Sequence, residues 1–253
     1  MKRDRIALVT GAASGIGRAV ATMLALEDCA LALLDVDADA LAETADAIRR
    51  AGGERVWTSV VDVRDATAVE QAVRALDQQF GRIDILVNNV GGNTTPRPVE
   101  EMSFEEWGEI MDLNLRSMFV TTRTVVPIMK RGRWGRIVNL SSIAGRTRTM
   151  FSNAAYTAAK AGVIGFTRQC AAELAPHGIA VNAVAHGVIA TERVAKSWAS
   201  RPPERQRLTQ AMIPADRLGT VEEAAYAVHF FCAEQCGYAI GSVLDMNGGF
   251  FIG

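Results

Sequence analysis

Short apolar runs alternate along this chain with longer amphipathic segments. This alternation is typical of parallel strands connected by helices, which cover both faces of the sheet. The sequence therefore predicts an α/β fold with one doubly wound parallel sheet of about seven strands and right-handed crossovers. Ligands of such sheets bind at the carboxyl ends of the strands. Strands are predicted near residues 5–10, 30–35, 55–61, 83–88, 135–141, 178–184 and 242–246, and helices near 16–27, 38–51, 66–80, 103–131, 154–175 and 220–233.

Charge and hydropathy exclude several classes of partner and location for this protein. The chain has 253 residues, a net charge of −1 and a sequence pI of about 6.3, which argues against nucleic acid or an anionic membrane as the main partner. No apolar stretch approaches the roughly 20 residues needed to cross a bilayer. Residues 1–4 lead straight into a predicted strand and leave no room for a cleavable signal, so we expect a cytoplasmic protein. Because no linker, repeat or low-complexity segment divides the chain, residues 1–253 are expected to form a single domain.

The cysteines fit the same compartment. They form no C-x-x-C pair and no compact framework, although Cys232 and Cys236 could share one face of a helix. Small buried thiols are common in protein cores. We therefore expect neither a metal site nor a disulfide among Cys29, Cys170, Cys232 and Cys236.

Tyr156 and Lys160 carry the strongest chemical signal in the chain. They are four residues apart in a predicted helix, so their side chains share one face. A nearby ammonium group favours the phenolate and lowers the tyrosine pKa from its usual value of roughly 10. We therefore expect Tyr156 to exchange a proton with a substrate oxygen near neutral pH.

A glycine-rich turn follows the first predicted strand. Residues 11–17 read G-A-A-S-G-I-G and lead into an alanine-rich helix. A strand, a glycine turn and a helix start together provide backbone N–H groups that can hold a pyrophosphate. Glycine clusters also occur in ordinary turns, and the spacing here is G-x-x-x-G-x-G rather than the commoner G-x-G-x-x-G. Motifs further along the chain support a pyrophosphate-binding role for this turn.

The pattern T-G-x-x-x-G-I-G at residues 10–17, together with Y-x-x-x-K at residues 156–160, resembles the short-chain dehydrogenase/reductase family. The likeness runs nearly end to end. Residues 88–91 resemble the family's N-N-A-G segment with Val in place of Ala, residues 137–142 its serine-bearing strand, and residues 181–187 the next strand and turn. The resemblance implies a Rossmann-type fold and transfer of a hydride between a nicotinamide cofactor and a secondary alcohol or ketone.

The resemblance also implies roles for individual residues. Tyr156 is the expected acid/base, and Lys160 is expected to lower its pKa and to hold the nicotinamide ribose. Ser142 would bind the same substrate oxygen; it is preferred to Ser141 because the pattern S-x-x-G places it at the strand end. Asn114 is expected to support a water that links the lysine to solvent, or alternatively to be a structural amide that distorts its helix.

The choice of cofactor can be argued from charge. Asp35 ends the second predicted strand, eighteen residues after Gly17, where a carboxylate can accept hydrogen bonds from the adenosine ribose and repel the 2′-phosphate of NADP. Family members that prefer NADP often carry a basic residue at the positions held here by Ser14 and Val36. Arg18 lies nearby but is expected to be solvated. The sequence therefore predicts NAD(H).

Further cofactor contacts are expected along the same edge of the sheet. Asp62 and Val63 resemble the family's adenine-contacting pair, although Asp62 is equally placed to cap the helix predicted from residue 66. Ile189 and Thr191 resemble the residues that contact the nicotinamide carboxamide. The full set of expected cofactor-binding residues is Gly11, Ser14, Gly15, Ile16, Gly17, Asp35, Asp62, Val63, Asn89, Gly91, Tyr156, Lys160, Ile189 and Thr191.

The substrate pocket is expected at residues 92–98 and 144–151, beneath a lid at 192–214 that could alternatively be an ordinary surface excursion. His186 replaces the family's usual proline, so it either contacts substrate or is a tolerated turn substitution. Arginines of the pocket segments could contact an acidic substrate or simply be solvated; they are Arg97, Arg146 and Arg148.

The predicted function is that of an NAD(H)-dependent short-chain oxidoreductase acting on a small-molecule alcohol or ketone. The alternatives are a 3-oxoacyl-[acyl-carrier-protein] reductase, a cyclic diol or polyol dehydrogenase, and, more remotely, a non-catalytic NAD(H)-sensing scaffold. The resemblance further implies a homotetramer built through the long helices and the C-terminal strand. No nucleic acid, membrane or metal is expected as a partner.

Overall fold

The computed structural model describes residues 5–93 and 96–253. Residues 1–4, and residues 94–95 of the expected pocket lining, lie outside the described part. The strands run parallel in one sheet, in the order β3-β2-β1-β4-β5-β6-β7 once numbered along the chain. They are β1 (Ile6–Thr10), β2 (Ala30–Asp35), β3 (Val56–Val60), β4 (Ile85–Asn88), β5 (Gly135–Ser142), β6 (Ile179–His186) and β7 (Val243–Met246). The predicted seven-stranded, doubly wound sheet is confirmed, and its order reverses between β1 and β4.

Helices cover both faces of this sheet. They are α1 (Gly15–Leu26), α2 (Ala38–Arg50), α3 (Ala66–Phe80), α4 (Phe104–Met111), α5 (Ser117–Gly132), α6 (Ala154–Leu174), α7 (Glu192–Ala199), α8 (Pro203–Ala211) and α9 (Val221–Cys232). One apolar core packs α1, α2 and α9 against the sheet, and a second core packs α3, α5 and α6 against the opposite face. The central strands are buried on both sides, which explains their nearly unbroken apolar sequences. Among the described helices, none combines the length and the apolar character that crossing a membrane would require.

Side-chain caps fix where several helices begin. Asp37 accepts a hydrogen bond from the Ala40 amide at the start of α2, and Thr220 forms a reciprocal capping box with Glu223 at the start of α9. Asp65 caps α3 through the amides of its first turn. The alternative that Asp62 caps this helix is therefore wrong.

The helix predicted over residues 103–131 is interrupted. A π-helical turn over Asp112–Arg116 separates α4 from α5. Within this turn the buried Asn114 side chain donates to the Ile110 carbonyl (2.9 Å), which competes with the regular backbone ladder. Residues 192–214, which are expected to form a lid or an ordinary surface excursion, contain α7 and α8.

A buried polar network ties the two central strands to the helices behind them. Asn88 at the end of β4 donates to Asn139 Oδ1 on β5 (2.8 Å) and to Thr122 Oγ1 on α5 (3.0 Å), and it accepts from Thr121 Oγ1. Asn139 in turn donates to Thr167 on α6 (3.0 Å). Because these groups lie deep in an apolar interior, each one depends on its protein partners for hydrogen bonds. The network holds the strand ends at which the polar motifs begin.

We predict that Asn88→Ala lowers the free energy of unfolding by about 2–3 kcal/mol, because it leaves buried donors and acceptors unpaired. Urea unfolding followed by circular dichroism at one protein concentration measures the change. Thr124→Ala is the control, since its hydroxyl bonds only the Val120 carbonyl of its own helix, and it should change stability by less than about 0.5 kcal/mol. Equal losses in the two variants would contradict a special contribution from the network.

Candidate active site

The glycine-rich turn is shaped by close packing at its helix entry. Gly11 and Gly15 have positive φ angles of +64° and +54°, a region that glycine adopts without strain. At Gly17 a Cβ would overlap the carbonyl group of Gly11, so only glycine fits there. Asn89 braces the turn by donating to the carbonyl oxygens of Thr10 and Gly11 (3.0 Å each). The turn thus presents the open N-terminus of α1 to the cleft beside it, a site suited to an anion.

A cleft of about 550 Å³ runs along the carboxyl ends of the strands. Most of the residues that were expected to be catalytic or to bind the cofactor line this cleft. Of that set, only Gly17 and Asn114 do not line it. The predicted residues that line the cleft are Gly11, Ser14, Gly15, Ile16, Asp35, Asp62, Val63, Asn89, Gly91, Ser142, Tyr156, Lys160, Ile189 and Thr191.

Asp35 is held firmly at the edge of this cleft. One carboxylate oxygen accepts from the amides of Val36 (2.7 Å) and Asp37 (3.1 Å), and the other accepts from the amide of Ala13 in the glycine turn (2.9 Å). These bonds fix the orientation of the carboxylate against the turn. Asp62 is engaged differently: Arg64 forms a two-pronged ion pair with it, and the pair lowers the pKa of the Asp62 carboxyl.

Tyr156 lies in the first turn of α6, where Asn153 caps the helix by accepting from the Tyr156 amide (2.9 Å). Burial raises the pKa of the Tyr156 phenol, while a hydrogen bond with Ser142 and the positive charge of Arg193 act in the opposite direction. The prediction that this pKa is lowered through Lys160 is therefore wrong. The phenol is held in its protonated form at neutral pH.

Lys160 is buried one helical turn further along α6. Its ammonium group donates to the Leu140 carbonyl (2.8 Å) and lies 5.7 Å from the centre of the Tyr156 ring. Burial, followed by repulsion from Arg193, lowers the pKa of Lys160 to about 8. The two residues share a helix face as predicted, but the lysine is bonded to the strand beneath.

The two adjacent serines have separate surroundings. Ser141 is buried, and its hydroxyl donates to the Lys160 carbonyl (2.9 Å). Ser142 ends β5, its hydroxyl accepts from the Ala144 amide (3.1 Å), and it acts to lower the pKa of the Tyr156 phenol. Within the described part of the chain, Ser142 lines both cavities together with Tyr156, whereas Ser141 lines only the cleft; the catalytic role of Ser142 stays a prediction.

Asn114 contacts the backbone of the site at Gly92. Its amide accepts from the Gly92 nitrogen (3.0 Å) and donates to the Gly92 carbonyl (2.8 Å) as well as to Ile110. A Cβ on Gly91 would lie 2.7 Å from the Asn114 side-chain oxygen and 2.9 Å from Lys160 Nζ, so both side chains approach the backbone at one point. The contacts fit the structural alternative, and the water-supporting role stays a prediction.

Some residues lie differently from the sequence-based expectation. Arg18 is anchored rather than solvated: its Nε donates to the Ala13 carbonyl (3.0 Å), and a second guanidinium nitrogen pairs with Glu192 at the start of α7 (3.3 Å). His186 is buried in the cleft wall with Nε2 3.4 Å from the Ala224 carbonyl, and burial lowers its pKa to about 4, so its ring is neutral. Sequence reasoning missed Arg193, whose position two residues after Thr191 was its only signal.

Two of the pocket arginines have carboxylate partners. Arg146 forms a two-pronged pair with Asp245 (2.9 Å for both bonds), and Arg97 pairs with Glu106 (3.3 Å). Their suggested role toward an acidic substrate is therefore weakened. Across residues 5–93 and 96–253, no group of three or more His, Cys, Asp or Glu side chains could hold a metal ion, and the four cysteines are free.

A second cavity, of about 820 Å³, adjoins the cleft and shares several of its lining residues. Ser142, Tyr156 and Arg193 line both cavities, so the phenol stands where they adjoin. The other walls come from residues 149–152 and from α7 and α8. We call it the lid cavity.

Comparison with known proteins places this architecture in a family. The family model described as short chain dehydrogenase matches residues 5–202. Levodione reductase of Leifsonia aquatica is 36% identical over 251 residues, covering 97% of this chain and 94% of that protein. The 2-dehydro-3-deoxy-L-rhamnonate dehydrogenase (NAD(+)) of a Sphingomonas strain is 36% identical over 245 residues, covering 97% and 94%. The 3-oxoacyl-[acyl-carrier-protein] reductase FabG of Vibrio cholerae is 38% identical over 248 residues, covering 98% of each.

Solved structures give the same result. A crystal structure of levodione reductase covers 98% of this chain and 98% of its own, with a TM-score of 0.91 at 35% sequence identity. The family match spans most of the sequence, and the relatives span nearly all of it. This chain therefore belongs to the short-chain dehydrogenase family, whose members are oxidoreductases that use nicotinamide cofactors.

Proposed function

We propose that this protein is an NAD(H)-dependent oxidoreductase that interconverts a secondary alcohol and a ketone, with Tyr156 as the acid/base. One observation carries the proposal: Tyr156 and Ser142 both line the cleft and the lid cavity, at the point where the two cavities adjoin. A carbinol or carbonyl carbon entering from the lid cavity would thus meet both hydroxyls.

The cleft suits a dinucleotide. The backbone of the glycine turn lines the cleft at Gly11 and Gly15, and the N-terminus of α1 provides amide donors for a pyrophosphate. Asp35 would bind the adenosine ribose, and Asp62, Val63 and Ile189 would line the remaining path. When bound, the nicotinamide dinucleotide would supply or accept the hydride at the reacting carbon.

The chain's own residues handle the proton. In ketone reduction the Tyr156 phenol donates its proton to the carbonyl oxygen, and in alcohol oxidation the phenolate removes the hydroxyl proton. Ser142 donates a hydrogen bond to the same oxygen and stabilises the negative charge that develops there. Lys160 would hold the nicotinamide ribose, and Asn114 is a positioning residue that fixes the backbone at Gly92.

The protonation state of Tyr156 differs between the two directions of the reaction. A protonated phenol can act as the acid in ketone reduction, and burial favours this protonated form. Alcohol oxidation requires the phenolate and should therefore accelerate as the pH rises. The similar proteins include reductases and a dehydrogenase, so their names cover both directions of the reaction.

Cofactor identity and substrate remain separate parts of the proposal. NAD(H) rests on Asp35 and agrees with the one relative named here whose name specifies NAD(+). The similarity to 3-oxoacyl-[acyl-carrier-protein] reductases supports that activity as the second candidate, ahead of a cyclic diol or polyol dehydrogenase. A panel of ketones and secondary alcohols, including a 3-oxoacyl thioester, discriminates among them by formation or loss of NADH.

Assembly as a homotetramer is part of the same proposal. Exposed apolar side chains lie on helices at both faces of the sheet and on the edge strand, where further copies could cover them. They include Phe119 on α5, Tyr226 and Phe230 on α9, and Leu244 on β7.

We predict that Tyr156→Phe lowers kcat at least ~100-fold while the dissociation constant for NADH changes by less than about threefold, because only the proton-transferring hydroxyl is removed. Steady-state turnover and fluorescence titration with NADH measure the two quantities. Tyr238→Phe makes the same chemical change at a fully exposed tyrosine and should leave both quantities unaltered. Turnover retained in Tyr156→Phe would remove this residue from its proposed role.

We predict that the wild-type protein binds NADH at least ~10-fold more tightly than NADPH, because the fixed Asp35 carboxylate repels a 2′-phosphate. Asp35→Asn should reduce this preference about 10-fold. Asp37→Asn is the matched control: it makes the same charge change two residues away, at a helix cap that does not line the cleft. Tighter binding of NADPH by the wild-type protein would be incompatible with the assignment.

A further inference from the structure

Three arginines line the lid cavity, and among the residues that the structure describes no acidic side chain does. Arg193 lies at its boundary with the cleft, whereas Arg201 and Arg205 line the lid cavity without lining the cleft. Their charges therefore face the side from which substrate would enter rather than the cofactor path. None of the lining residues is Asp, Glu or His.

These arginines are not neutralised by neighbouring carboxylates. Within residues 5–93 and 96–253, none of the three forms an ion pair, in contrast to Arg97 and Arg146 close by. Glu192, next to Arg193 in the chain, is paired with Arg18 on the far side of the cleft (3.3 Å). The positive charge is therefore available to a ligand of opposite charge.

The environment of Arg201 is preorganised. Its guanidinium carbon lies 5.6 Å from the centre of the Trp198 ring and 5.8 Å from that of Phe151, and the residue is half-buried. Contacts with aromatic faces orient the guanidinium group and remove part of its hydration. Apolar side chains, including Met150 and Leu208, form other parts of the wall. The cavity thus combines an apolar surface with a cationic end.

We propose that the physiological substrate is an alcohol or ketone with an apolar body whose non-reacting end carries an anionic group, a carboxylate or a phosphate, bound by Arg201 and Arg205. This inference rests on the proposed function, since it names the substrate class of the same site. Arginine suits either group because its planar fork of N–H donors matches both. The apolar wall accommodates the carbon chain between that group and the reacting carbon.

The first test compares charged substrates with neutral analogues of similar shape. 3-Hydroxybutanoate, 4-hydroxypentanoate and 5-hydroxyhexanoate are each assayed against their primary amides with NAD⁺, and 3-hydroxybutyl phosphate is assayed against 1,3-butanediol. At least one anionic compound should have a kcat/KM at least ~10-fold above that of its neutral partner. The carboxylate and phosphate arms identify which anion is preferred. Equal or lower values for every anionic compound would overturn the proposal.

The second test links the preference to the arginines. In the double variant Arg201→Gln/Arg205→Gln, the ratio of kcat/KM for the preferred anion to that for its neutral partner should fall at least ~10-fold. Arg207→Gln is the control, because Arg207 lies on the same helix α8 but does not line the lid cavity. A ratio unchanged in the double variant, or lowered equally in the control, would contradict the assignment.

A binding measurement separates this inference from the proposed function. Hexanoate and hexanamide contain neither a secondary alcohol nor a ketone, so calorimetric titration with each, in the presence and absence of NAD⁺, reports anion binding alone. Hexanoate should bind the wild-type protein at least ~10-fold more tightly than the amide and lose this advantage in the double variant. This result without turnover of any alcohol would contradict the oxidoreductase proposal only. Turnover of the neutral amides without any preference for hexanoate would contradict the anion site only.

Discussion

The attachment of α6 to the end of β5 is the constraint on which the candidate site depends. The Lys160 ammonium group donates to the carbonyl of Leu140, and the Ser141 hydroxyl donates back to the Lys160 carbonyl. At Gly145 a Cβ would lie 2.6 Å from the Lys160 carbonyl group, so the chain after β5 approaches the helix backbone closely. These contacts act at one level of α6, one turn beyond Tyr156. They fix the helix backbone that carries Tyr156 relative to the end of the strand.

This attachment has an electrostatic cost that shapes the chemistry. Burying an ammonium group disfavours its charged form, and the pKa of Lys160 falls to about 8. Burial disfavours the phenolate in the same way and raises the pKa of Tyr156. The hydrogen bond with Ser142 and the charge of Arg193 oppose this rise. The site therefore holds a protonated phenol next to groups that favour its anion, which is the arrangement a reversible proton donor requires.

Much of this arrangement could be predicted from the sequence because it depends on local patterns. The alternating runs predicted about seven parallel strands, and parallel strands bring Gly11, Asp35, Asn89 and Ser142 to one edge. The direction of the Tyr156 pKa shift could not be obtained in this way, because it depends on how deeply a helix face is buried. The π-helical turn and the anchoring of Arg18 could not be predicted from the sequence either. Each is decided by partners that are distant in sequence.

The first turn of α7 joins the two halves of the site. Thr191 caps the helix and packs against Gly15, where a Cβ would lie 3.2 Å from the threonine methyl group. Glu192 pairs with Arg18 on α1, whereas Arg193 acts on Tyr156 and lines both cavities. Since α7 contains no buried residue, its position depends on these few polar contacts rather than on a packed core. Of these two consecutive charged residues, Glu192 lines only the cleft, whereas Arg193 lines both the cleft and the lid cavity. A substrate whose charge complements the lid cavity would bind there without competing for the same partners as a dinucleotide.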